Sequence, residues 1–123
     1  MDYKIELIAI PVTDVDRAKA FYVDGCGFHA DHDHVVNEDL RFVQLTPPGS
    51  ACSICIGTGL TDAEPGSVRG MQMVVADAHA AHDELAARGV EVSDVDAQAW
   101  GEFVYFQDPD GNAWALQAIP DRG

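Results

Sequence analysis

Basic residues are scarce in this sequence: seven Lys and Arg stand against 21 Asp and Glu in 123 residues, a formal net charge of -14. A surface of that sign repels phosphate backbones and anionic lipid, so we expect no nucleic-acid partner and no membrane partner. Apolar runs of the roughly 18 residues that a membrane-spanning helix needs are missing, and Pro11 interrupts the N-terminal apolar segment too early for a signal peptide. The sequence therefore predicts a cytoplasmic protein.

Cysteine is sparse as well, with three residues and no export signal, so we expect no disulfide framework. Cys52 and Cys55 have C-x-x-C spacing, but they lie in a predicted strand, where a separation of three places the side chains on opposite faces. Redox or zinc chemistry needs converging thiolates and is not expected of this pair. A Gly-rich phosphate loop is absent too.

Apolar residues make up 47% of the chain, enough for one interior, and the predicted elements repeat. Asp14 and Asp77 each follow an apolar strand and are predicted to cap the N-terminus of a helix, and three further strands follow each helix. The first unit has strands at Tyr3–Val12, "FHADHDH", "LRFVQLT" and "ACSICIG"; the second has "GMQMVVA", "VEVSDV", "EFVYFQ" and "NAWALQAI". We interpret this order as an internal repeat.

A sharp turn precedes the last strand. In "DPDG", Pro109 fixes φ, the flanking aspartates can bond their own backbone, and Gly111 accepts a positive φ. The turn leads into the last predicted strand, which spans residues Asn112 to Ile119.

This order, with "IPVTDVDRAKAFY" near the start and "YFQDPDGNAWALQ" near the end, resembles the vicinal oxygen chelate superfamily, also called the glyoxalase, bleomycin-resistance and extradiol-dioxygenase group. The resemblance implies an α+β fold of two tandem βαβββ modules whose curved mixed sheets enclose a cleft. Residues 1–123 would form a single domain, with module one at about 1–57, a linker at about 58–68 and module two at about 69–120. The resemblance also implies a homodimer.

The resemblance further implies where a divalent metal would bind, with one ligand from the first and last strand of each module. These positions fall on Leu7, Ile54, Met71 and Ala115, whose side chains lack nitrogen and oxygen donors. Positions two residues away share a strand face and add one amide, Gln117. We therefore expect no metal and no other cofactor, with a divalent metal as the alternative.

A second candidate for chemistry is the segment "HADHDH", from His29 to His34. His32 and His34 share one face of a strand, and such a pair can chelate a metal or supply a general base. The alternative is a hydrated polar strand at the rim of the cleft.

Apolar and aromatic side chains are predicted to line the cleft where metal enzymes of the superfamily place charge. Methionines adapt to irregular ligands, although a methionine stripe is also typical of core packing. Trp100 is the favoured cleft wall, Trp114 is expected to face the helix, and Gln72 is expected on the face opposite Met71. The predicted lining consists of Leu7, Ile54, Met71, Met73, Trp100, Tyr105, Ala115 and Gln117.

Two functions follow from these observations. We favour a metal-independent protein that binds or sequesters an apolar or planar metabolite or drug, similar to the bleomycin-resistance type. The alternative is a lyase, isomerase or dioxygenase that uses a displaced metal site near His32 and His34, or metal-free acid-base catalysis.

Overall fold

The computed structural model describes residues 1–120, which form two four-stranded sheets and two helices. The elements are β1 (Leu7–Ala9), α1 (Val15–Ala20), β2 (His29–Asn37), β3 (Leu40–Thr46), β4 (Ser53–Thr58), β5 (Met71–Val74), α2 (Ala78–Ala87), β6 (Asp96–Gln98), β7 (Gly101–Gln107) and β8 (Ala113–Ala118). Sheet one has the order β1-β4-β3-β2 and sheet two the order β5-β8-β7-β6. In each sheet the first strand runs parallel to the last and the other pairs are antiparallel. The predicted α+β fold of two βαβββ modules is confirmed.

Both helices begin at the predicted caps. The Asp14 carboxylate accepts a hydrogen bond from the backbone N–H of Arg17 at 3.0 Å. The Asp77 carboxylate accepts from the backbone N–H groups of His79 and Ala80 at 2.9 and 3.1 Å. These bonds satisfy N–H groups that have no partner within the helix. Helix α1 continues into a wider π-helical turn at Phe21–Gly25.

Two predicted strands differ in the structure. The strand predicted from Tyr3 to Val12 is reduced to Leu7–Ala9, because only these residues pair with β4. The strand predicted at "VEVSDV" is reduced to one bridge between Val92 and Phe106, and β6 begins at Asp96. The Ser93 hydroxyl accepts the Tyr105 N–H at 2.9 Å, so a side chain replaces the backbone partner of a regular ladder.

Each sheet has one face packed under helices, here called the helix-covered face, and one open face. The core combines both helix-covered faces: Val43, Leu45, Ile54 and Ile56 of sheet one, and Val104, Phe106, Trp114 and Leu116 of sheet two, are all buried.

The two helix-covered faces point toward each other. The Tyr22 and Phe28 rings of module one each lie with their centroids 5.8 Å from that of Trp114 in module two. The open faces consequently lie on the outer sides of the chain. The expectation that the two sheets of one chain enclose a cleft between them is therefore wrong, since their open faces do not meet.

The Asp-Pro-Asp-Gly turn is the junction between the modules. Asn112 is fully buried, and its side-chain N–H group donates to the Pro11 carbonyl at 2.8 Å and to the Asp108 carboxylate at 2.7 Å. Asp110 accepts a 2.6 Å bond from the Thr13 hydroxyl at the start of α1. The turn that launches the last strand of module two thus fixes the first loop of module one.

Neither helix in the described part of the chain is long and apolar enough to cross a membrane.

Candidate functional site on two open sheet faces

The open face of sheet two carries a shallow groove. Two adjoining depressions of about 600 and 400 Å³ share Gln72, Tyr105 and Ala115 as lining residues. These volumes fall in the range of small-molecule sites. The side chains of this face are Gln72, Val74, Asp96, Gln98, Phe103, Tyr105, Gln107, Ala113, Ala115 and Gln117.

Amide side chains are fixed across the centre of the groove. The Gln72 side chain donates to the Gln117 amide oxygen at 2.6 Å, and the Gln117 side chain donates to the Trp100 carbonyl at 2.9 Å. The second amide proton of Gln72 remains for a ligand. These bonds orient the polar groups and place the Trp100 loop beside the groove.

Aromatic rings form the wall of the groove. Trp100 is 64% exposed and Tyr105 is 42% exposed, although both are large apolar side chains. The Phe103 and Tyr105 rings lie within 7° of parallel, with centroids 6.1 Å apart. The Tyr105 hydroxyl donates to Asp96 at 2.8 Å, and this bond raises the pKa of the phenol. The pKa of the Asp96 carboxyl is lowered by hydrogen bonds from Gln98 and then from Tyr105, which keeps it ionised.

The open face of sheet one is more polar. Its strand residues include Leu7, Ala9, His32, His34, Phe42, Gln44, Ser53 and Cys55, with Thr46 at the end of β3. The hydroxyl groups of Thr46 and Ser53 lie 2.7 Å apart, and the Gln44 side chain donates to Ser53 at 3.4 Å. Small hydroxyl and amide groups thus occupy the middle of this face.

His32 and His34 lie on this open face, as their shared parity predicts. Their rings are 5.7 Å apart and within 21° of parallel, and both residues are exposed. They face the side chains of Gln44 and Phe42 across the β2–β3 pair.

Three predicted lining residues lie on the other face. Met71 pairs with Trp114, and Met73 with Leu116, both of which are buried under the helices. Ile54 pairs with Leu45 and is 2% exposed in the same core. These three side chains therefore point away from the open faces, because neighbours in a strand occupy opposite faces, although Met71 also borders the 600 Å³ depression.

The other predicted lining residues are on open faces. Trp100, Tyr105, Ala115 and Gln117 surround the 400 Å³ depression. Leu7 lies on the open face of sheet one, so the structure does not bring it together with those four in one chain. Trp114 faces the helices and Gln72 lies opposite Met71, as predicted.

The residues at the superfamily's metal positions do not fit a divalent metal. Correcting the register replaces Ile54 by Ser53 or Cys55, and Met71 by Gln72, beside Leu7 and Ala115. None of these is a carboxylate or an imidazole, and burial raises the pKa of the Cys55 thiol, which disfavours the thiolate a metal needs. Within residues 1–120, no three His, Cys, Asp or Glu side chains are grouped to hold a metal ion.

A family model for the Glyoxalase/Bleomycin resistance protein/Dioxygenase superfamily matches residues 4–116. The chain belongs to this superfamily. The crystal structure of TnmS3, an antibiotic binding protein from Streptomyces sp. CB03234, is 32% identical, covers 97% of this chain and 98% of its own, and superposes with a TM-score of 0.87.

Two further relatives also cover most of this chain. A glyoxalase/bleomycin resistance protein from Streptomyces sp. CB03234 is 33% identical, with 93% of this chain and 99% of that one covered and a TM-score of 0.80. YetH of Bacillus subtilis (strain 168), described as uncharacterized, is 25% identical over 93% of this chain and 97% of its own.

Sequence reasoning missed Gln72 and Ser53 as open-face residues. The alternation of "MQMV" holds the signal for Gln72, because the polar member of an alternating strand belongs on the face away from the core. The segment "SICI" gives a weaker signal for Ser53, because Ser53 and Cys55 are small side chains that are buried even though they lie on the open face.

Proposed function

We propose that the protein binds a planar, largely apolar small molecule without altering it, in clefts that two copies of the chain form together. The exposed aromatic wall on the open face of sheet two carries this proposal. Trp100 and Tyr105 leave large ring surfaces in water beside fixed amide groups. Flat ligands stack on such rings, and the amides set their orientation.

The outward direction of the open faces supports the participation of a second copy of the chain. A groove on one sheet covers only one side of a ligand, whereas the open face of sheet one in a second copy would cover the other side. A two-fold dimer then contains two identical clefts. Tyr3 and Ile5, at 90% and 73% exposure, precede β1 with the same spacing of two as Leu7 and add apolar surface for such a contact.

The similarity to an antibiotic binding protein over nearly the whole chain supports binding as the function. Support also comes from the absence of metal-binding side chains at the corrected positions, because the metal chemistry of the superfamily needs such ligands.

The experiment is a titration of the purified protein with acridone, a neutral planar tricycle, followed by tryptophan fluorescence and calorimetry. Quenching is expected in the wild type and should largely disappear in Trp100→Phe, whose remaining Trp114 is buried. Light scattering should give twice the 13.2 kDa mass of one chain. A monomer that binds the probe at full affinity contradicts the shared cleft, and failure to bind any planar tricycle contradicts the function.

The parallel rings of His32 and His34 favour one alternative, an enzyme that uses this pair as a base or as a metal-binding site. Mass spectrometry of the probe after incubation, with and without added divalent metal, tests this. Recovery of unchanged probe is expected. A product that forms with the wild type and is lost in His32→Ala and His34→Ala would establish the enzyme instead.

A further inference from the structure

Asp31 occupies a β-bulge in β2. The register passes from Ala30, opposite Leu45, directly to His32, opposite Gln44, so Asp31 is the extra residue. A bulge re-aims side chains that would otherwise alternate. The Asp31 carboxylate meets the Thr46 hydroxyl, so Asp31 and His32 both lie on the open face of sheet one.

The carboxylate is held in place from one side. Thr46 donates its hydroxyl proton to Oδ2 of Asp31, and the hydroxyl of Thr46 lies 2.7 Å from that of Ser53. The other oxygen, Oδ1, is approached by His29 at 3.7 Å, beyond hydrogen-bond distance. The side chain remains 25% exposed. Thr46 therefore orients the carboxylate through Oδ2, while Oδ1 accepts no hydrogen bond from the described residues.

Lysine and arginine are absent from the strands of both open faces in the described chain, although His29, His32 and His34 lie on that of sheet one. Among the strands of residues 1–120, Arg41 is the one Lys or Arg, and it lies on the helix-covered side, where it binds Asp16 and Asp33 at 2.8 Å. Asp31 and Asp96 are the carboxylates of the open faces. Arg69, just before β5, lines the far end of the groove together with Glu91. The net charge of -14 adds an attractive field for cations.

We propose that the cleft selects planar compounds that carry a protonated amine, and that Asp31 is the residue that receives the amine. The inference rests on the proposed function and adds the charge of the ligand to it. The ammonium group donates to Oδ1 of Asp31, while Thr46 holds the carboxylate in the required orientation. An ionic hydrogen bond of this kind is stronger than a neutral one, and a pre-oriented acceptor loses less entropy on binding.

Three matched tricyclic probes test the charge: an aminoacridine as cation, acridone as neutral compound and an acridine carboxylate as anion. We expect the cation to bind at least tenfold more tightly than acridone and the anion most weakly, with a cation affinity that falls as salt is added. Asp31→Asn should lower the cation affinity about tenfold, the effect of one such bond, and leave acridone within about twofold.

Two further variants separate Asp31 from general charge and from folding. Asp62→Asn removes the same charge from the exposed segment between the modules and should leave the order of affinities unchanged. Thr46→Val keeps the carboxylate but frees it to rotate, so the cation should lose affinity by less than in Asp31→Asn.

The possible outcomes are distinct. If none of the three probes binds, the proposed function fails. If they bind with equal affinity, or if the cation preference survives Asp31→Asn, the proposed function stands and the role of Asp31 is overturned. If Asp31→Asn is unfolded by circular dichroism, the result with Thr46→Val decides, and an unchanged cation affinity there overturns the inference.

Discussion

The Tyr22 hydroxyl donates a 2.8 Å hydrogen bond to the buried Asp108 carboxylate and accepts a 3.0 Å bond from the Trp114 indole N–H. Burial and then the nearby Asp108 charge raise the pKa of the Tyr22 phenol far above its usual range, so it stays neutral and can donate. One side chain of module one thus satisfies two buried polar groups of module two.

Tyr22→Phe removes this connection. The indole N–H loses its acceptor, and Asp108 keeps the side chain and N–H of Asn112. Because an unsatisfied buried polar group costs about 1–3 kcal/mol, we expect the free energy of unfolding to fall by that amount. Urea denaturation measures it. The control is Tyr3→Phe at a 90% exposed position, which should leave stability unchanged; an equal loss in both variants would contradict the role of the junction.

Adjacent residues on β5 provide a test of the two faces. Met73 packs toward the core, so Met73→Ala should cost about 1–3 kcal/mol of stability while acridone affinity is retained. Gln72 lies in the groove, so Gln72→Ala should change stability by less than about 0.5 kcal/mol and weaken acridone binding. Denaturation and calorimetry on both variants measure these effects. If Met73→Ala weakened acridone binding and Gln72→Ala lowered stability, the assignment of the open and helix-covered faces of β5 would be reversed.

Mixed dimers test whether two copies share each cleft. Gln44→Trp fills the open face of sheet one and Ala115→Trp fills that of sheet two, and each variant alone should bind no acridone. A heterodimer of the two variants has one cleft that contains both introduced tryptophans and one cleft that contains neither. Random mixing should therefore restore about a quarter of the wild-type capacity, because about half the dimers are mixed. Undiminished binding by Gln44→Trp alone would place the whole site on sheet two of one chain, and no recovery in a sample whose heterodimers are demonstrated with two tags would contradict the shared cleft.

The Cys26 thiol gives a prediction for pH. Burial, and next the Asp108 charge, raise its pKa to about 12 against the opposing effect of Arg88. The thiolate is the reactive form, so at pH 8 only about one Cys26 in ten thousand is reactive. We expect iodoacetamide to modify Cys26 slowly, with a rate that rises about tenfold per pH unit up to pH 10. Peptide mass spectrometry follows the reaction, and the same chain in urea should react quickly; fast labelling of the folded protein at pH 8 would contradict the raised pKa.

Local sequence signals predicted the elements well, because caps and turns act over a few residues. Asp14 and Asp77 begin the helices as expected, and the boundaries of β3 match the run "LRFVQLT". The faces were less predictable. Ala115, just after the Asp-Pro-Asp-Gly turn, lies on an open face as expected, whereas Met71, near the start of module two, lies on the face opposite to the expected one, because an error of one residue reverses a strand.

Features set by the packing of the two modules could not be read from the sequence. Helices amphipathic enough to cover a sheet do not specify whether the sheets lie face to face or back to back. Asp31 was missed for a similar reason, since its direction depends on a bulge against β3 that a regular alternation does not reveal.

The junction also bears on how the chain folds. The contacts of Asn112 with Pro11 and of Asp110 with Thr13 join residues separated by 101 and 97 positions. During synthesis on the ribosome, the Tyr22 and Phe28 rings of module one therefore stay uncovered by Trp114 until almost all of module two has been made. Contacts between residues so distant in sequence form slowly. An uncovered aromatic surface meanwhile binds chaperones and promotes aggregation. Truncations before Asn112 should accordingly be recovered from cells as insoluble material, even though they contain every residue of module one.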